Sequence, residues 1–315
     1  MQTEQLLPDQ MGLARAAILL AGGDVVAIPT ETVYGLAGDA RNGQAVARIY
    51  AAKGRPSFNP LIVHVPDLDA ARPIAQITPE AEALAEAFWP GALTLVLPLR
   101  PDSGIASLVT AGLDTIAIRV PAHPVAQALL RLTGPLAAPS ANASGRISPT
   151  SAAHVLDPDG GLDGRIAAIL DAGPCAVGLE STILGWPGGR ATLLRPGGIP
   201  AEAIAERLGR PLALHEADPT APNAPGQLTS HYAPNATLRL DAVDPRGDET
   251  HVAFGQPGPF SLSETGDLAQ AAARLFDTLR RADREGRPIA VAPIPDHGLG
   301  AAINDRLRRA SAPRD

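Results

Sequence analysis

A short polar segment follows the first strand-like run of the chain. Residues 25–29 (VVAIP) are apolar, and the segment 27–40 (AIPTETVYGLAGDA) adds two threonine hydroxyls, one of them from Thr32, and the Glu31 carboxylate. Open α/β sheets bind ligands at the carboxyl ends of their strands. Taken alone, the segment fits a ligand site and an ordinary turn with backbone-capping threonines equally well.

The segment 53–64 (KGRPSFNPLIVH) groups two cations, an amide and an imidazole. Lys53 is the one lysine among 26 Lys and Arg residues, so a compact ammonium is used here in place of the usual guanidinium. Lys53 and Arg55 follow a predicted helix, whose dipole favours cations at its end, so one interpretation is a cap. The other is that both bind a polyphosphate, with Asn59 as a neutral donor. His64, on an apolar strand, is more often a core residue than a catalyst.

A charged residue ends the predicted strand 115–121 (TIAIRVP). Arg119 must reach solvent, a carboxylate or a ligand, because burying it unpaired is costly. Its planar fork suits an amino-acid carboxylate or a phosphate. Thr115 begins the same strand and could supply a hydroxyl.

Three loops add polar groups. Residues 139–150 (PSANASGRISPT) combine the Ser140 hydroxyl with backbone N–H groups, as in phosphate-binding nests, although the chain has no Walker loop. Arg195 lies beside a glycine-rich turn into a helix, a favourable place for an anion. Tyr232, in SHYAP, could stack on a base, close over a pocket or pack on the domain surface.

Helix-like and strand-like segments alternate over the first two thirds of the chain, which predicts an α/β sheet with flanking helices over residues 1–210. Residues 211–235 are rich in Pro, Ala and Asn and are predicted to form a linker. Residues 236–315 have the order β-β-α-β-α, which predicts a small, doubly wound, Rossmann-like α/β domain.

The composition excludes several classes of protein. The chain has 315 residues, 45% of them apolar, a formal net charge of −7 and one cysteine. The negative charge argues against a general nucleic-acid binder. A single cysteine fits a reducing compartment, and no apolar run has the length of a membrane span or the pattern of a signal peptide. We therefore expect a cytoplasmic protein without membrane contact.

Seven motifs resemble those of the YrdC family in their amino-acid sequences and in their order along the chain. These motifs are PTETVYGL, KGRPSFNPLIVH, WPGALTLVL, TIAIRVP, PSANASG, LESTI and LRPGGI, and the resemblance covers nearly all of residues 11–210. SHYAP and the C-terminal tail resemble the long, two-domain form of the family. The resemblance implies a twisted mixed sheet with a concave, electropositive pocket. It also implies a nucleotidyltransferase reaction, in which L-threonine, bicarbonate and ATP give threonylcarbamoyl-AMP and pyrophosphate.

The resemblance further implies roles for single residues and partners. The threonine-binding residues would be Thr32, His64, Arg119, Ala138 and Ser181. The ATP-binding residues would be Lys53, Arg55, Asn59, Thr115, Ser140, Asn142, Ser148, Arg195 and Tyr232, with Lys53 and Arg55 also catalytic. Mg²⁺ would arrive with ATP and be held mainly by its phosphates, without a metal site of the protein's own. The product would pass to proteins that modify tRNA, and direct contact with tRNA stays open.

Two alternatives compete with this interpretation. A carbamoyltransferase with a YrdC-like domain would carry zinc-finger cysteines, which one cysteine cannot supply. An RNA-binding or ribosome-assembly module could use the same electropositive pocket, but the chain shows no basic stripe.

Overall fold

A computed structural model describes residues 2–214 and 231–313 of the chain. The strands are β1 (Glu4–Leu6), β2 (Val26–Ile28), β3 (Gly35–Asp39), β4 (Ile62–His64), β5 (Leu93–Pro98), β6 (Thr115–Arg119), β7 (Leu136–Ala137), β8 (Ala168–Leu170), β9 (Thr182–Gly185), β10 (Thr192–Arg195), β11 (Ala213–Leu214), β12 (Leu238–Arg239), β13 (Thr250–Val252) and β14 (Ile289–Val291). The helices are α1 (Gln10–Ala21), α2 (Gly43–Lys53), α3 (Leu68–Ala71), α4 (Pro79–Phe88), α5 (Ser107–Thr110), α6 (Pro124–Thr133), α7 (Ala152–Val155), α8 (Ala201–Leu208), α9 (Leu268–Asp283) and α10 (Leu299–Ser311).

The larger sheet is mixed, which confirms the predicted fold class. Eleven strands of the described residues pair in the order β1-β8-β2-β3-β7-β4-β6-β5-β9-β10-β11. β4 and β6 run parallel, with His64 paired to Arg119, and β5 pairs antiparallel to β6, with Thr94 opposite Arg119. This register brings His64 and Arg119 side by side at the carboxyl ends of two neighbouring strands.

Helix α2 shows how local sequence signals place a functional segment. The Asn42 side chain caps its first turn by accepting from the N–H groups of Gln44 and Ala45. Gly54 ends it with φ of 59°, a left-handed conformation that glycine adopts without strain. The chain leaves the helix at this point, and Arg55 lies beyond the turn.

The C-terminal unit contains a three-stranded parallel sheet in the order β12-β14-β13, with α9 and α10 packed against it. This arrangement agrees with the small α/β domain expected for residues 236–315. Its apolar core also takes in Val33, Ile147, Leu179 and Tyr232, which lie outside that range. Gly178 contacts α9 so closely that a Cβ there would lie 2.5 Å from the Ala272 carbonyl oxygen. The two parts of the chain are therefore packed as one body around a shared core.

Several elements of the structure differ from those expected from the sequence. The sheet continues past residue 210, because β11 pairs parallel to β10 within the segment predicted as a linker. β3, with the sequence GLAGD, lies inside the segment interpreted as a polar turn, and its small residues give no strand signal. β1 and α6 were not predicted. Most of the Pro-rich stretch, including Ser230 of SHYAP, lies outside the described residues.

No helix in the described parts of the chain has the length and apolar character needed to cross a bilayer.

Candidate active site

One cavity collects most of the polar residues that the sequence singled out. It contains about 570 Å³ of space free of protein atoms, part of it open to solvent. Its polar and charged lining consists of Thr30, Thr32, Arg55, His64, Arg119, Ser140, Glu180, Ser181, Arg195, His231 and Tyr232. A concave site with several convergent polar and charged groups is suited to binding a charged small molecule.

Arg119 organises one end of the cavity. Its guanidinium donates to the Thr32 hydroxyl (2.8 Å), to the Glu31 carboxylate (2.5 Å) and to the Gly91 carbonyl (3.1 Å). Burial by itself would raise the pKa of Glu31, but Arg119 lowers it below its usual value. A second Glu31 carboxylate oxygen is buried without a hydrogen-bond partner among the described residues. This end therefore holds a fixed cation beside a hydroxyl and a carboxylate.

His64 lies next to Arg119 and is only 3% exposed. Burial and the neighbouring Arg119 charge lower the pKa of His64 to about 3, so the imidazole is neutral at physiological pH. Its Nδ1 atom is buried and has no partner among the described residues. A neutral ring with an unsatisfied nitrogen facing a cavity is suited to a hydrogen bond with a ligand.

Arg55 also lines the cavity. Its guanidinium donates to the backbone carbonyls of Asn59 (3.2 Å) and Pro60 (2.9 Å). Burial lowers the pKa of Arg55 to about 10, which leaves it cationic at neutral pH. The Asn59 side chain is 1% exposed, and neither of its amide atoms has a partner among the described residues.

Lys53 lies behind the cavity wall. It is 3% exposed and is not among the lining residues, and its ammonium donates to the carbonyls of Ser140 and Asn142, both at 2.6 Å. Burial and Arg55 lower the pKa of Lys53. Lys53 therefore supports the 140–142 loop, and its direct contact with a ligand stays a prediction.

The loop after β7 brings Ala138 and Ser140 to the cavity wall. Asn142 is fully buried and donates to the carbonyls of Ala143 and Arg146, which shapes the loop. Ser148 is also buried, and its hydroxyl donates to the Glu180 carboxylate at 2.5 Å. Asn142 and Ser148 thus lie behind the lining, and their direct contact with a ligand stays a prediction.

Ser181 and Arg195 form a third wall. Arg195 donates to the Ser181 carbonyl (2.8 Å) and hydroxyl (3.3 Å), and that hydroxyl also bonds the Thr94 hydroxyl (2.7 Å). Burial lowers the pKa of Arg195 from its ordinary value. Arg195 is the last residue of β10, and Ser181 directly precedes β9, the antiparallel neighbour of β10.

Tyr232 closes the cavity, although SHYAP was predicted to belong to a linker. It is 1% exposed with φ of 62°, and its ring stacks on Phe276 of α9 at 5.7 Å between centroids. The guanidinium of Arg306 lies 5.1 Å from the centre of the same ring. Packing between the two units therefore fixes Tyr232 against the cavity.

Thr115 lies apart from this group. It begins β6, and Arg119 ends it, so about 13 Å of strand separates them. Thr115 is not among the lining residues. Its contact with the nucleotide stays a prediction.

Sequence reasoning missed two charged residues of the site. Glu180 lies on the cavity wall, but its motif drew attention mainly through Ser181. Arg306 is fully buried and reaches Glu180 from α10, far along the chain. A sequence pattern could not have found it, because α10 carries three arginines and nothing in their spacing distinguishes the one that turns inward.

The described residues contain no group of three His, Cys, Asp or Glu side chains placed to hold a metal ion.

Comparison with known proteins shows the family. A family model described as "Telomere recombination", which covers Sua5, YciO and YrdC proteins, matches residues 18–197. A second, described as "Threonylcarbamoyl-AMP synthase, C-terminal domain", matches residues 199–312. The two models together span almost the whole chain.

Full-length relatives agree with both models. The chain is 42% identical to the threonylcarbamoyl-AMP synthase of Bacillus subtilis, over 99% of this chain and 96% of the relative. It is 41% identical to the Pyrococcus abyssi protein of the same name, over 95% and 94% of the two chains. The crystal structure of P. abyssi Sua5 complexed with L-threonine superposes with a TM-score of 0.86 at 37% identity, covering 99% of this chain and 98% of that one. The chain therefore belongs to the threonylcarbamoyl-AMP synthase family, in its two-domain form.

Proposed function

We propose that this protein is an L-threonylcarbamoyladenylate synthase, which converts L-threonine, bicarbonate and ATP into threonylcarbamoyl-AMP and pyrophosphate. The observation that carries the proposal is the shared cavity. Arg119 lies beside Thr32 and His64, and Arg55 and Arg195 line the same cavity. Two anionic substrates could therefore bind side by side. A relative with the same full-length fold has been crystallised with L-threonine, which supports threonine as one of them.

The threonine subsite is proposed around Arg119. Its guanidinium is held at three points, so it presents a preorganised cation to the threonine carboxylate. Thr32, Ser181 and neutral His64 offer hydrogen bonds to the carboxylate and side-chain hydroxyl, and the Ala138 backbone completes the wall.

The nucleotide subsite is proposed around Arg55 and Arg195. Both would neutralise phosphate charge, and Tyr232 would stack on the base or ribose. Ser140 and Asn59 add hydrogen bonds, and Lys53 orders the loop that carries Ser140. Asn142 and Ser148 would act from behind the same wall. Mg²⁺ would enter as the counterion of ATP, bound mainly by its phosphates.

The chemistry that these groups would support is charge stabilisation. The threonine amine attacks the carbon of bicarbonate or CO2, forming an N–C bond and releasing water or a proton, to give an N-carboxylate. A carboxylate oxygen then bonds to the α-phosphorus while the bond to pyrophosphate breaks. Negative charge develops on the phosphate oxygens, where fixed guanidinium groups lower the barrier without a protein nucleophile.

The product is a mixed anhydride and must be consumed by an acceptor. We propose that proteins that modify tRNA take it up in the cytoplasm. The alternative, an RNA-binding module, is not favoured, because the arginines of the cavity are bonded inside it and do not form an exposed stripe.

The test is pyrophosphate release from ATP by the purified full-length chain. We expect release that requires both L-threonine and bicarbonate, with mass-spectrometric detection of threonylcarbamoyl-AMP. L-alanine, which lacks the hydroxyl, serves as the matched substrate control and should give much slower release. Release that is independent of threonine, or RNA binding without any adenylate, would reject the proposal.

A further inference from the structure

Arg306 reaches from the C-terminal helix α10 into the wall of the cavity. The residue is fully buried, and its guanidinium donates to the Glu180 carboxylate (2.7 Å), the Asp305 carboxylate (2.6 Å) and the Pro196 carbonyl (3.0 Å). Burial by itself would lower the pKa of Arg306, but Tyr232, Glu180 and Asp305 raise it, so the side chain is charged throughout the physiological range. The positive charge of Arg306 therefore comes from the C-terminal unit but lies among residues of the N-terminal unit.

The partner of Arg306 determines the charge balance of the cavity. Of the described residues that line it, three are arginines and one, Glu180, is a carboxylate. Burial by itself would raise the pKa of Glu180, but Arg306 and then Arg195 lower it, so Glu180 is ionised. An ionised carboxylate in a wall that faces a triphosphate repels it unless another cation compensates.

We propose that Arg306 is a positioning residue for nucleotide binding: by pairing with Glu180, it removes a negative charge from the wall that the ATP phosphates would face. This inference rests on the proposed function, since it concerns the subsite assigned there to ATP. Arg306 acts on the ligand through Glu180 and does not line the cavity itself. The C-terminal unit would thus contribute directly to the electrostatics of the active site.

A purely mechanical role is the competing explanation. Arg306 also lies 5.1 Å from the Tyr232 ring centre and holds the Pro196 carbonyl, so its loss could loosen that side of the cavity. The two explanations differ in their dependence on Glu180. If charge matters, removing the Glu180 charge compensates for losing Arg306, whereas a packing defect would persist in the double variant.

A double-mutant cycle on the full-length protein separates them. Dissociation constants for a non-hydrolysable ATP analogue and for L-threonine are measured by calorimetry for Arg306→Met, Glu180→Gln and the double variant. We expect Arg306→Met to weaken analogue binding at least about tenfold, and threonine binding by less than about threefold. Glu180→Gln removes the repelling charge and leaves that of Arg306, so it should bind the analogue more tightly than the wild type, and the double variant should return to within about threefold of the wild type.

Two further variants control for packing and folding. Arg280 is also a buried arginine of the C-terminal unit, but it bonds the Ile147 carbonyl and pairs with Asp157, neither of which lines the cavity. Arg280→Met should change analogue binding by less than about twofold. Arg306→Lys keeps one positive charge near Glu180 and should retain more affinity than Arg306→Met, which makes it the informative variant if the methionine protein does not fold.

The outcomes separate this inference from the proposed function. Wild-type protein without threonine-dependent pyrophosphate release would reject the function. Wild-type release with Arg306→Met binding the analogue normally would overturn the inference alone. A double variant as weak as Arg306→Met, or Arg306→Lys as weak as Arg306→Met, would also overturn it in favour of packing.

Discussion

Exchanging the two cations of the 53–64 segment in turn should separate stability from ligand affinity. Lys53 supports the 140–142 loop through two buried carbonyl bonds of 2.6 Å, whereas Arg55 lines the cavity itself. Methionine preserves most of the apolar stem of either side chain and removes its charge. We therefore expect Lys53→Met to act mainly on folding and Arg55→Met mainly on ATP binding.

The size of the Lys53 effect follows from its hydrogen bonds. A hydrogen bond to a charged group contributes about 1.5–3 kcal/mol, and part of this gain is offset by the cost of burying the ammonium. The Ser140 carbonyl would still accept from the Asn142 N–H at 3.0 Å, but the Asn142 carbonyl would lose its ammonium partner. Losing both bonds should lower the free energy of unfolding by about 2–4 kcal/mol. In a protein of this size the apparent melting temperature would fall by about 3–6 °C.

Arg55→Met should cost less stability. Its bonds to the Asn59 and Pro60 carbonyls, at 3.2 and 2.9 Å, are longer than those of Lys53, and the Asn59 carbonyl still accepts from the Tyr50 hydroxyl at 3.0 Å. We expect a loss of about 1 kcal/mol, together with at least about tenfold weaker binding of an ATP analogue.

Thermal melts without ligand and calorimetric titrations with the analogue, run on both variants, provide the comparison. Lys53→Met should also bind the analogue more weakly, because the loop that carries Ser140 loses its support. The reasoning is refuted if Lys53→Met melts with the wild type yet loses affinity, since Lys53 would then be a direct ligand and not a support.

Three further predictions follow from the same geometry. Arg119→Lys should raise KM for threonine at least about tenfold and leave KM for ATP within about twofold, because an ammonium cannot replace the three directed bonds of the guanidinium; equal effects on both substrates in steady-state assays would contradict this. The pKa of His64 is about 3 in the folded protein, and the unfolded value lies near 6.5, so only the unfolded state takes up this proton between those limits and stability falls with decreasing pH. His64→Gln should therefore show a shallower dependence of unfolding free energy on pH between 4 and 6 in urea titrations, and an unchanged slope would argue against it. Burial raises the pKa of Cys175 to about 12, so iodoacetamide at pH 8 should label this thiol only after denaturation. Detection of the adduct by mass spectrometry in the folded protein would contradict this prediction.

The sequence predicted the architecture better than the direction of individual side chains. Apolar runs with clear ends, such as residues 61–65 and 115–121, gave strands whose parallel pairing brings His64 and Arg119 together. Lys53 was placed correctly at the end of a helix. The acceptors of its ammonium, however, belong to the 140–142 loop, which is remote in sequence, so the direction of the side chain could not be predicted.

Elements without a local signal were the ones missed. β3 consists of GLAGD, and its strand conformation comes from pairing with β2 and β7 and not from β-branched residues. Arg306 lies in an amphipathic helix whose other arginines face outward or pair within the helix, so only tertiary packing identifies it. Tyr232 was singled out for its aromatic ring, but its enclosure by Phe276 and Arg306 could not be foreseen from a segment rich in proline.

The shared core has a consequence for how such proteins can evolve. Val33, Ile147 and Leu179 are covered by the C-terminal unit, and Gly178 permits α9 to approach the backbone there. A gene that lost the region encoding the C-terminal unit would expose this apolar surface to water. A shorter protein with the same catalytic unit would therefore need polar residues at these three positions, whereas Gly178 would still be favoured by its φ of 73°.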